Sequence, residues 1–241
     1  MQQNWVLSES QDAARQATEL AVAIAAKLRL ALQQRGQALL AVSGGKSPLA
    51  LFAALREQEL DWERVTVLLA DERCVPQDHA DSNTALVRGQ LLQGRAASAR
   101  WQPFFGQLPA GDSTGWSDAQ LDALAAAAND RLAALPWPLD VLVLGMGEDA
   151  HTASLFPAAP GLELALESAS PVAWVRPATA PHARLTLTLP TLLAAGSIFL
   201  PLAGARKREV FEQACGEDCI AAPISLVLHR SPRPVQVWLA P

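Results

Sequence analysis

Apolar residues along the chain form two kinds of run, which alternate. Long stretches rich in Ala and Leu, with apolar positions three to four residues apart, predict helices. Short continuous apolar runs bounded by Gly, Pro, Ser or Asp predict strands that are buried on both faces. The predicted strands are Ala38–Val42, Val65–Ala70, Asp140–Leu144, Val172–Val175, Leu185–Leu189, Ile198–Pro201 and Val235–Leu239. The predicted helices are Gln11–Gln34 (capped by Ser8 or Ser10), a helix capped by Ser47 that runs through Arg56, one capped by Ser82 or Asn83 that runs through Leu92, Ser117–Ala134 (opened by Ser117) and Ala205–Ala214.

Alternation of helices with buried strands is typical of an α/β fold. We therefore expect a single doubly wound, mostly parallel sheet with helices on both faces, in one domain that spans residues 1–241. Sheets of this Rossmann-like kind bind ligands at the carboxyl ends of their strands. The residues that follow Val42, Ala70 and Leu144 are therefore the first candidates for a functional site.

Composition narrows the class of protein. Half of the 241 residues are hydrophobic and 18% are charged, as in globular proteins, and the net charge of −5 argues against a nucleic-acid partner. The stretch Met1–Val6 has neither the basic region nor the apolar region of a signal peptide. No apolar run reaches the roughly 18 residues of a membrane span. Three scattered cysteines fit a reducing compartment. We expect a cytoplasmic protein without nucleic-acid or membrane partners.

The segment Ser43-Gly44-Gly45-Lys46-Ser47-Pro48 follows a predicted strand and precedes a predicted helix. Glycines allow backbone amides to approach an anion closely, and Lys46 and Ser47 add further donors. The segment is not a phosphate-binding loop of the Walker type, because the first required glycine would fall at Leu40. It predicts a site for a phosphate or a sugar hydroxyl; the alternative is a tight turn that binds no ligand.

The segment from Gly145 to Ala150 has the glycine spacing of a dinucleotide fingerprint, but Pro157 prevents a long helix from following it. Its chemistry lies instead in Asp149 and His151. A histidine titrates near neutral pH, so His151 is a candidate general base or acid. The alternative is a histidine that caps a turn or fills the core.

Three further segments carry charges beside predicted elements. Asp71-Glu72-Arg73 follows a strand, His182-Ala183-Arg184 precedes one, and Arg206-Lys207-Arg208 opens the helix after the Ile198–Pro201 strand. Arg184 has the fork geometry that suits a phosphate, and cations at the start of a helix indicate an anion that offsets them. Solvated turns are the alternative for the first and third segments. No spacing of His, Cys or carboxylates suggests a metal, so we predict none.

Together these segments resemble the 6-phosphogluconolactonase family over residues 37–210. The resemblance is carried, in order, by Ser43–Pro48, by Asp71-Glu72-Arg73 with Asp81-Ser82-Asn83, by Gly145–Pro157, by His182–Thr186 and by Gly204–Lys207. The family usually has glycine where this chain has Ala150. If that position requires a positive φ, alanine carries strain of roughly 1 kcal/mol or more.

The resemblance implies a fold similar to that of glucosamine-6-phosphate deaminase. It also implies a hydrolase of the pentose phosphate pathway that converts 6-phospho-D-glucono-1,5-lactone to 6-phosphogluconate without metal or organic cofactor. We expect His151 to act on water, with Asp149 or Asp71 orienting the imidazole. Arg73 or the loop amides would stabilise the oxyanion. The 6-phosphate would be held by Arg184 and Lys207 with help from Ser43, Gly44, Gly45, Lys46 and Ser47.

Two other functions remain open from the sequence. A deaminase-like sugar-phosphate isomerase would carry Asn-Glu-Pro where this chain has Ser154–Pro157, and it would release ammonia from glucosamine 6-phosphate. A non-catalytic sugar-phosphate-binding regulator would usually carry a DNA-binding module, whereas only about 36 residues precede the first predicted strand. The assembly is expected to be a monomer or a small homo-oligomer.

Overall fold

The computed structural model describes residues 4–109 and 112–241. Its strands are β1 Trp5–Glu9, β2 Ala38–Val42, β3 Val65–Leu69, β4 Asp71–Arg73, β5 Arg100–Trp101, β6 Val141–Val143, β7 Val172–Val175, β8 Arg184–Leu187, β9 Ile198–Ala203 and β10 Val235–Ala240. Its helices are α1 Ala13–Arg35, α2 Leu49–Leu55, α3 Asn83–Gln90, α4 Asp118–Leu132, α5 Leu162–Glu167, α6 Leu189–Leu193, α7 Ala205–Ala214 and α8 Pro223–Arg230. No helix in these ranges has the length and apolarity that a membrane span requires.

Seven strands form the central sheet, in the order β1-β10-β9-β6-β2-β3-β5, and every neighbouring pair is parallel. All five residues of β2 are buried, as expected for a strand covered on both faces. The chain moves outward from β2 to β3 and β5, then returns to place β6 on the other side of β2. This reversal opens a crevice at the carboxyl ends of β2 and β6, where such sheets bind ligands.

A second, antiparallel sheet has the order β4-β8-β7 and lies next to the same strand ends. Strand β4 begins two residues after β3 ends, and Asp71 pairs with Thr186 while Arg73 pairs with Arg184. The prediction of an α/β fold with a mostly parallel sheet is confirmed, but it did not include this second sheet. The charged run Asp71-Glu72-Arg73 is therefore not a solvated turn, since Asp71 and Glu72 are buried.

The strands predicted from continuous apolar runs are confirmed to within one or two residues. Two predicted caps are wrong. Helix α1 is capped by the Asp12 side chain, which accepts from the Arg15 amide at 2.8 Å, while the Ser10 hydroxyl donates to Glu19. Helix α2 has Pro48 at its cap position and no side-chain cap from Ser47. The predicted caps Ser82 and Ser117 are confirmed.

The first turn of α3 is held by a carboxylate from another element. Glu72 of β4 is buried and accepts from the amides of Asn83 at 2.8 Å and Thr84 at 2.7 Å, as well as from its neighbour Arg73 at 2.7 Å. Amides in the first turn of a helix have no acceptor within the helix, so Glu72 supplies one. Burial raises the pKa of Glu72, against the opposing effect of these hydrogen bonds. Glu72 thus fixes α3 to the second sheet.

Replacing Glu72 with alanine should lower the free energy of unfolding by about 2 kcal/mol, because the buried amides of Arg73, Asn83 and Thr84 would lose their acceptor. Urea unfolding followed by circular dichroism measures the change. Glu63→Ala, at an exposed position, is the control and should change the stability by less than about 0.5 kcal/mol. Equal stability of the two variants would contradict the role assigned to Glu72.

Candidate active site

An open cleft of about 720 Å³ lies at the carboxyl ends of β2 and β6, where the strand order reverses. Segments that are far apart in the sequence meet there: the loop after β2, the start of the second sheet, the loop after β6 and the start of α7. Its lining includes most of the predicted site residues, namely Ser43, Gly44, Gly45, Ser47, Asp71, Arg73, His151, Arg184 and Lys207. Two predicted residues, Lys46 and Asp149, are not part of the lining.

The loop after β6 brings Asp149 and His151 side by side. A turn closed by the Ala150 amide on the Gly147 carbonyl (3.1 Å) places the Asp149 Oδ1 atom 2.5 Å from Nδ1 of His151. Ala150 has φ = +62°, in the left-handed region. A Cβ atom at Gly147 would lie 2.2 Å from Nδ1 of His151, so this position excludes a side chain. Asp149 therefore lies beside the imidazole and outside the cleft lining.

A buried aromatic ring outside the cleft lining supports the imidazole. Phe156 is buried, and its ring stacks on the imidazole of His151 with centroids 4.1 Å apart and an angle of 23° between the planes. The guanidinium of Arg184 lies 4.9 Å from the centroid of the same ring. Phe156 therefore contacts both a candidate base and a candidate anion-binding cation, and it fixes the plane of the imidazole.

Asp71 has different partners from those of His151. Its Oδ2 atom accepts from the Ser154 hydroxyl at 2.5 Å and lies 3.9 Å from Nη1 of Arg184, while its backbone carbonyl accepts from Asn83 at 2.9 Å. Of the two aspartates that the sequence left open, Asp149 is thus the one that contacts the imidazole. Asp71 instead provides the negative charge that accompanies Arg184.

Three cations line the cleft: Arg73, Arg184 and Lys207. Burial lowers the pKa values of Arg184 and Lys207, and the nearby carboxylates of Asp71 and Glu148, respectively, oppose that shift. The Nε atoms of both arginines are buried without a hydrogen-bond partner in the described part of the chain. Burial of positive charge without full compensation is the electrostatic condition that favours an anionic ligand.

The loop Ser43–Pro48 provides the opposite wall. The Ser43 hydroxyl accepts from the Gly145 amide at 3.1 Å and so joins the loops after β2 and β6. The hydroxyl of Ser47 accepts from Nζ of Lys207 at 3.0 Å. Gly44 packs so closely on Asn83 that a Cβ atom there would lie 2.0 Å from Oδ1 of Asn83. Lys46 is exposed and lies outside the lining.

The individual sequence motifs did not predict that Asn83 lines the cleft, or that Ser154 and Phe156 contact residues that line it. Asn83 was considered as a helix cap, and it instead lines the cleft and donates to Asp71. Ser154 and Phe156 follow His151 in the segment Gly145–Pro157 that carries the resemblance. The available signal was their short distance from His151 along the chain. Phe156 is five residues after His151, so its ring can stack on the imidazole if the chain turns between them.

Comparisons with known proteins give the family. The family model for glucosamine-6-phosphate isomerases and 6-phosphogluconolactonases matches residues 11–238. A 6-phosphogluconolactonase of Pseudomonas aeruginosa is 47% identical over 223 residues, covering 90% of this chain and 88% of that protein. One from Neisseria meningitidis is 44% identical over 227 residues, covering 93% and 94%. The chain belongs to the 6-phosphogluconolactonase family.

Solved structures agree with this family and with the fold. A 6-phosphogluconolactonase from Shewanella baltica superposes with a TM-score of 0.89 at 38% identity, covering 98% of this chain and 97% of that one. One from Trypanosoma brucei, at 23% identity, shares the fold with a TM-score of 0.84 over 99% and 97% of the two chains. The resemblance inferred from the sequence motifs is thus confirmed, and the 6-phosphogluconolactonase fold is that of the central parallel sheet described above.

The left-handed backbone at Ala150 predicts a stabilising substitution. Ala150→Gly removes strain of roughly 1–2 kcal/mol, offset by about 0.4–1 kcal/mol of added entropy in the unfolded chain. We expect a net gain of about 0.5–1 kcal/mol, measured by urea unfolding. Ala126→Gly, at an exposed position inside α4, is the matched control and should lose about 1 kcal/mol. A loss in both variants would rule out strain at Ala150.

Proposed function

We propose that the chain hydrolyses 6-phospho-D-glucono-1,5-lactone to 6-phosphogluconate, in the oxidative pentose phosphate pathway. The observation that carries the proposal is the hydrogen-bonded pair of Asp149 and His151, whose imidazole lines one cleft with three cations. An imidazole oriented by a carboxylate is suited to acid-base chemistry, and the cations suit a phosphorylated substrate. The activity named for the relatives requires both.

In this proposal His151 transfers a proton twice. The carboxylate of Asp149 accepts a hydrogen bond from Nδ1, which leaves the lone pair on Nε2 free to take a proton from water. The hydroxide equivalent adds to the lactone carbonyl and gives a tetrahedral oxyanion. Collapse of that intermediate breaks the bond to the ring oxygen, and the imidazolium returns its proton there. Asp149 favours the imidazolium by its charge, and Phe156 keeps the ring in plane.

In this proposal the cations have two further tasks, which are to bind the 6-phosphate and to stabilise the oxyanion. Arg184 and Lys207 would hold the 6-phosphate together with the amides of the Gly44–Gly45 loop. In the described part of the chain these two amides have no protein acceptor. Arg73 or the loop amides would stabilise the oxyanion, a contribution typically worth about 3 kcal/mol. The unphosphorylated lactone retains the reacting carbonyl, so it separates the two tasks.

Replacing His151 with glutamine should lower kcat by about 100- to 10,000-fold, because the side chain can no longer exchange a proton with water and the ring oxygen. The assay follows proton release from freshly prepared 6-phospho-δ-lactone, with the spontaneous rate subtracted. His229→Gln is the control and should retain full activity, because His229 is hydrogen-bonded to the Ala214 carbonyl at 3.3 Å, outside the cleft lining. Near-full activity of His151→Gln would refute the acid-base role.

Replacing Lys207 with methionine should reduce kcat/KM for the phosphorylated lactone by about 10- to 100-fold, since one charge-assisted hydrogen bond is worth about 1.5–3 kcal/mol. Hydrolysis of unphosphorylated glucono-δ-lactone should be nearly unchanged. Lys46→Met is the matched control and should leave both substrates unaffected, because its side chain is outside the cleft lining. Equal losses on both lactones would show that Lys207 does not contact the phosphate. Ammonia release from glucosamine 6-phosphate would favour the isomerase-deaminase function instead.

A further inference from the structure

A second cluster of titratable side chains lies in the segments that lead into the cleft. Nε2 of His182 lies 3.2 Å from Oδ2 of Asp81, and Nδ1 of His79 lies 3.9 Å from the same oxygen. The two imidazole rings meet edge to face with centroids 5.6 Å apart. One nitrogen or oxygen atom from each of the three side chains lies within 4.8 Å of the other two. None of these side chains has a task in the proposed hydrolysis.

We propose that His79, Asp81 and His182 form a binding site for a divalent transition-metal ion, with zinc as the ion to test. Two imidazoles and one carboxylate are a donor set that zinc accepts, with a fourth position left for water. Tetrahedral zinc with bonds of about 2.0–2.1 Å requires donors about 3.4 Å apart. Nε2 of His182 lies 3.2 Å from Oδ2 of Asp81, close to that separation, and Nδ1 of the exposed His79 lies 3.9 Å from the same oxygen.

The charges around the cluster have both signs. Asp112 lies close enough for the imidazoles of His182 and His79 to contribute to the lowering of its pKa, after the larger effect of its hydrogen bonds from Thr114. The guanidinium of Arg73 opposes a cation, but its Nη1 atom is engaged by the Asp81 carbonyl at 2.6 Å. The Asp81 amide donates to Nδ1 of His79 at 3.1 Å, which shows that this nitrogen presents a lone pair. Zinc would take the place of the Asp81 amide as the partner of this nitrogen. The amide is exposed and could then donate its hydrogen bond to water.

A metal bound at this cluster would link two segments that carry residues of the cleft lining. Asp81 precedes Asn83 by two residues, and His182 precedes Arg184 by two; both Asn83 and Arg184 line the cleft. His182 has φ = +70°, a costly conformation for a residue other than glycine, and it aims the imidazole at Asp81. A metal would therefore join the loop after β4 to the loop before β8 and fix the segments that carry two cleft residues.

The experiment measures zinc binding directly and does not depend on the proposed lactonase activity. Protein stripped with a chelator and freed of tags is titrated with zinc chloride by calorimetry, and its melting temperature is recorded with and without zinc. We expect one ion per chain and a zinc-dependent rise in melting temperature. His182→Asn and His79→Asn should weaken binding by about 100-fold or more, since even the loss of an outer-shell partner typically costs 10–100-fold. Asparagine also tolerates the left-handed backbone at 182.

Matched controls exclude other donors. His229→Asn and Cys219→Ser should bind zinc as the unchanged chain does. The proposal is overturned if the unchanged chain binds no zinc, if neither His79→Asn nor His182→Asn weakens binding, or if His151→Asn alone removes it, which would place the ion on the pair of His151 and Asp149. Activity measurements on the same preparations are read separately, so an inactive chain that still binds zinc through His182 would refute the lactonase proposal alone.

Discussion

The contact between the loops after β2 and β6 is the constraint on which the cleft depends. The two strands are neighbours only because the chain returns to the centre of the sheet after β5. The Ser43 hydroxyl then accepts from the Gly145 amide and sets the distance between the loop Ser43–Pro48 and the loop that carries His151. The second sheet and α7 add their cations to an opening that the central sheet has already defined.

The charge of the cleft lining is opposite in sign to the net charge of the chain. The chain carries a net charge of −5, yet three of the titratable side chains in the cleft lining are Arg73, Arg184 and Lys207. Asp71 is also in the lining, where it lies beside Arg184 and is bonded by Ser154. Asp149, the other carboxylate, lies behind the imidazole. The cleft lining thus carries more positive than negative charge, while the carboxylate of Asp149 is paired with the imidazole of His151.

The parts of the fold that the sequence predicted are those set by local patterns. Strand β2 is a continuous apolar run with a glycine-bearing end, and helix α4 begins with a Ser117 cap completed by Gln120. Strand β1 escaped prediction because none of its five residues is buried and its sequence mixes polar and apolar residues, and β4 escaped because it is charged. Helix α6 was not predicted, and its first residue, Leu189, was assigned to the preceding strand, although Pro190 in its first turn marks a helix start.

The sequence predicted which residues lie in the site better than it predicted which of them contact each other. Strand ends indicated where Ser43, Asp71 and His151 would meet, because the carboxyl ends of parallel strands share one edge. Arg184, which precedes a strand, was assigned to the same site by the resemblance. The choice between Asp149 and Asp71 as the partner of His151 depended on the backbone turn at Ala150, which places residues 149 and 151 together. The cluster of His79, Asp81 and His182 has no recognisable spacing because its members come from segments about 100 residues apart.

The hydrogen bond from Lys207 to Ser47 bears on how tightly any phosphate can be held. The half-buried ammonium group of Lys207 donates to the Ser47 hydroxyl at 3.0 Å. Under the proposed function, a phosphate would exchange or share that partner. The affinity it gains would then be a difference between two bonded states, which would favour a ligand that is released after each turnover.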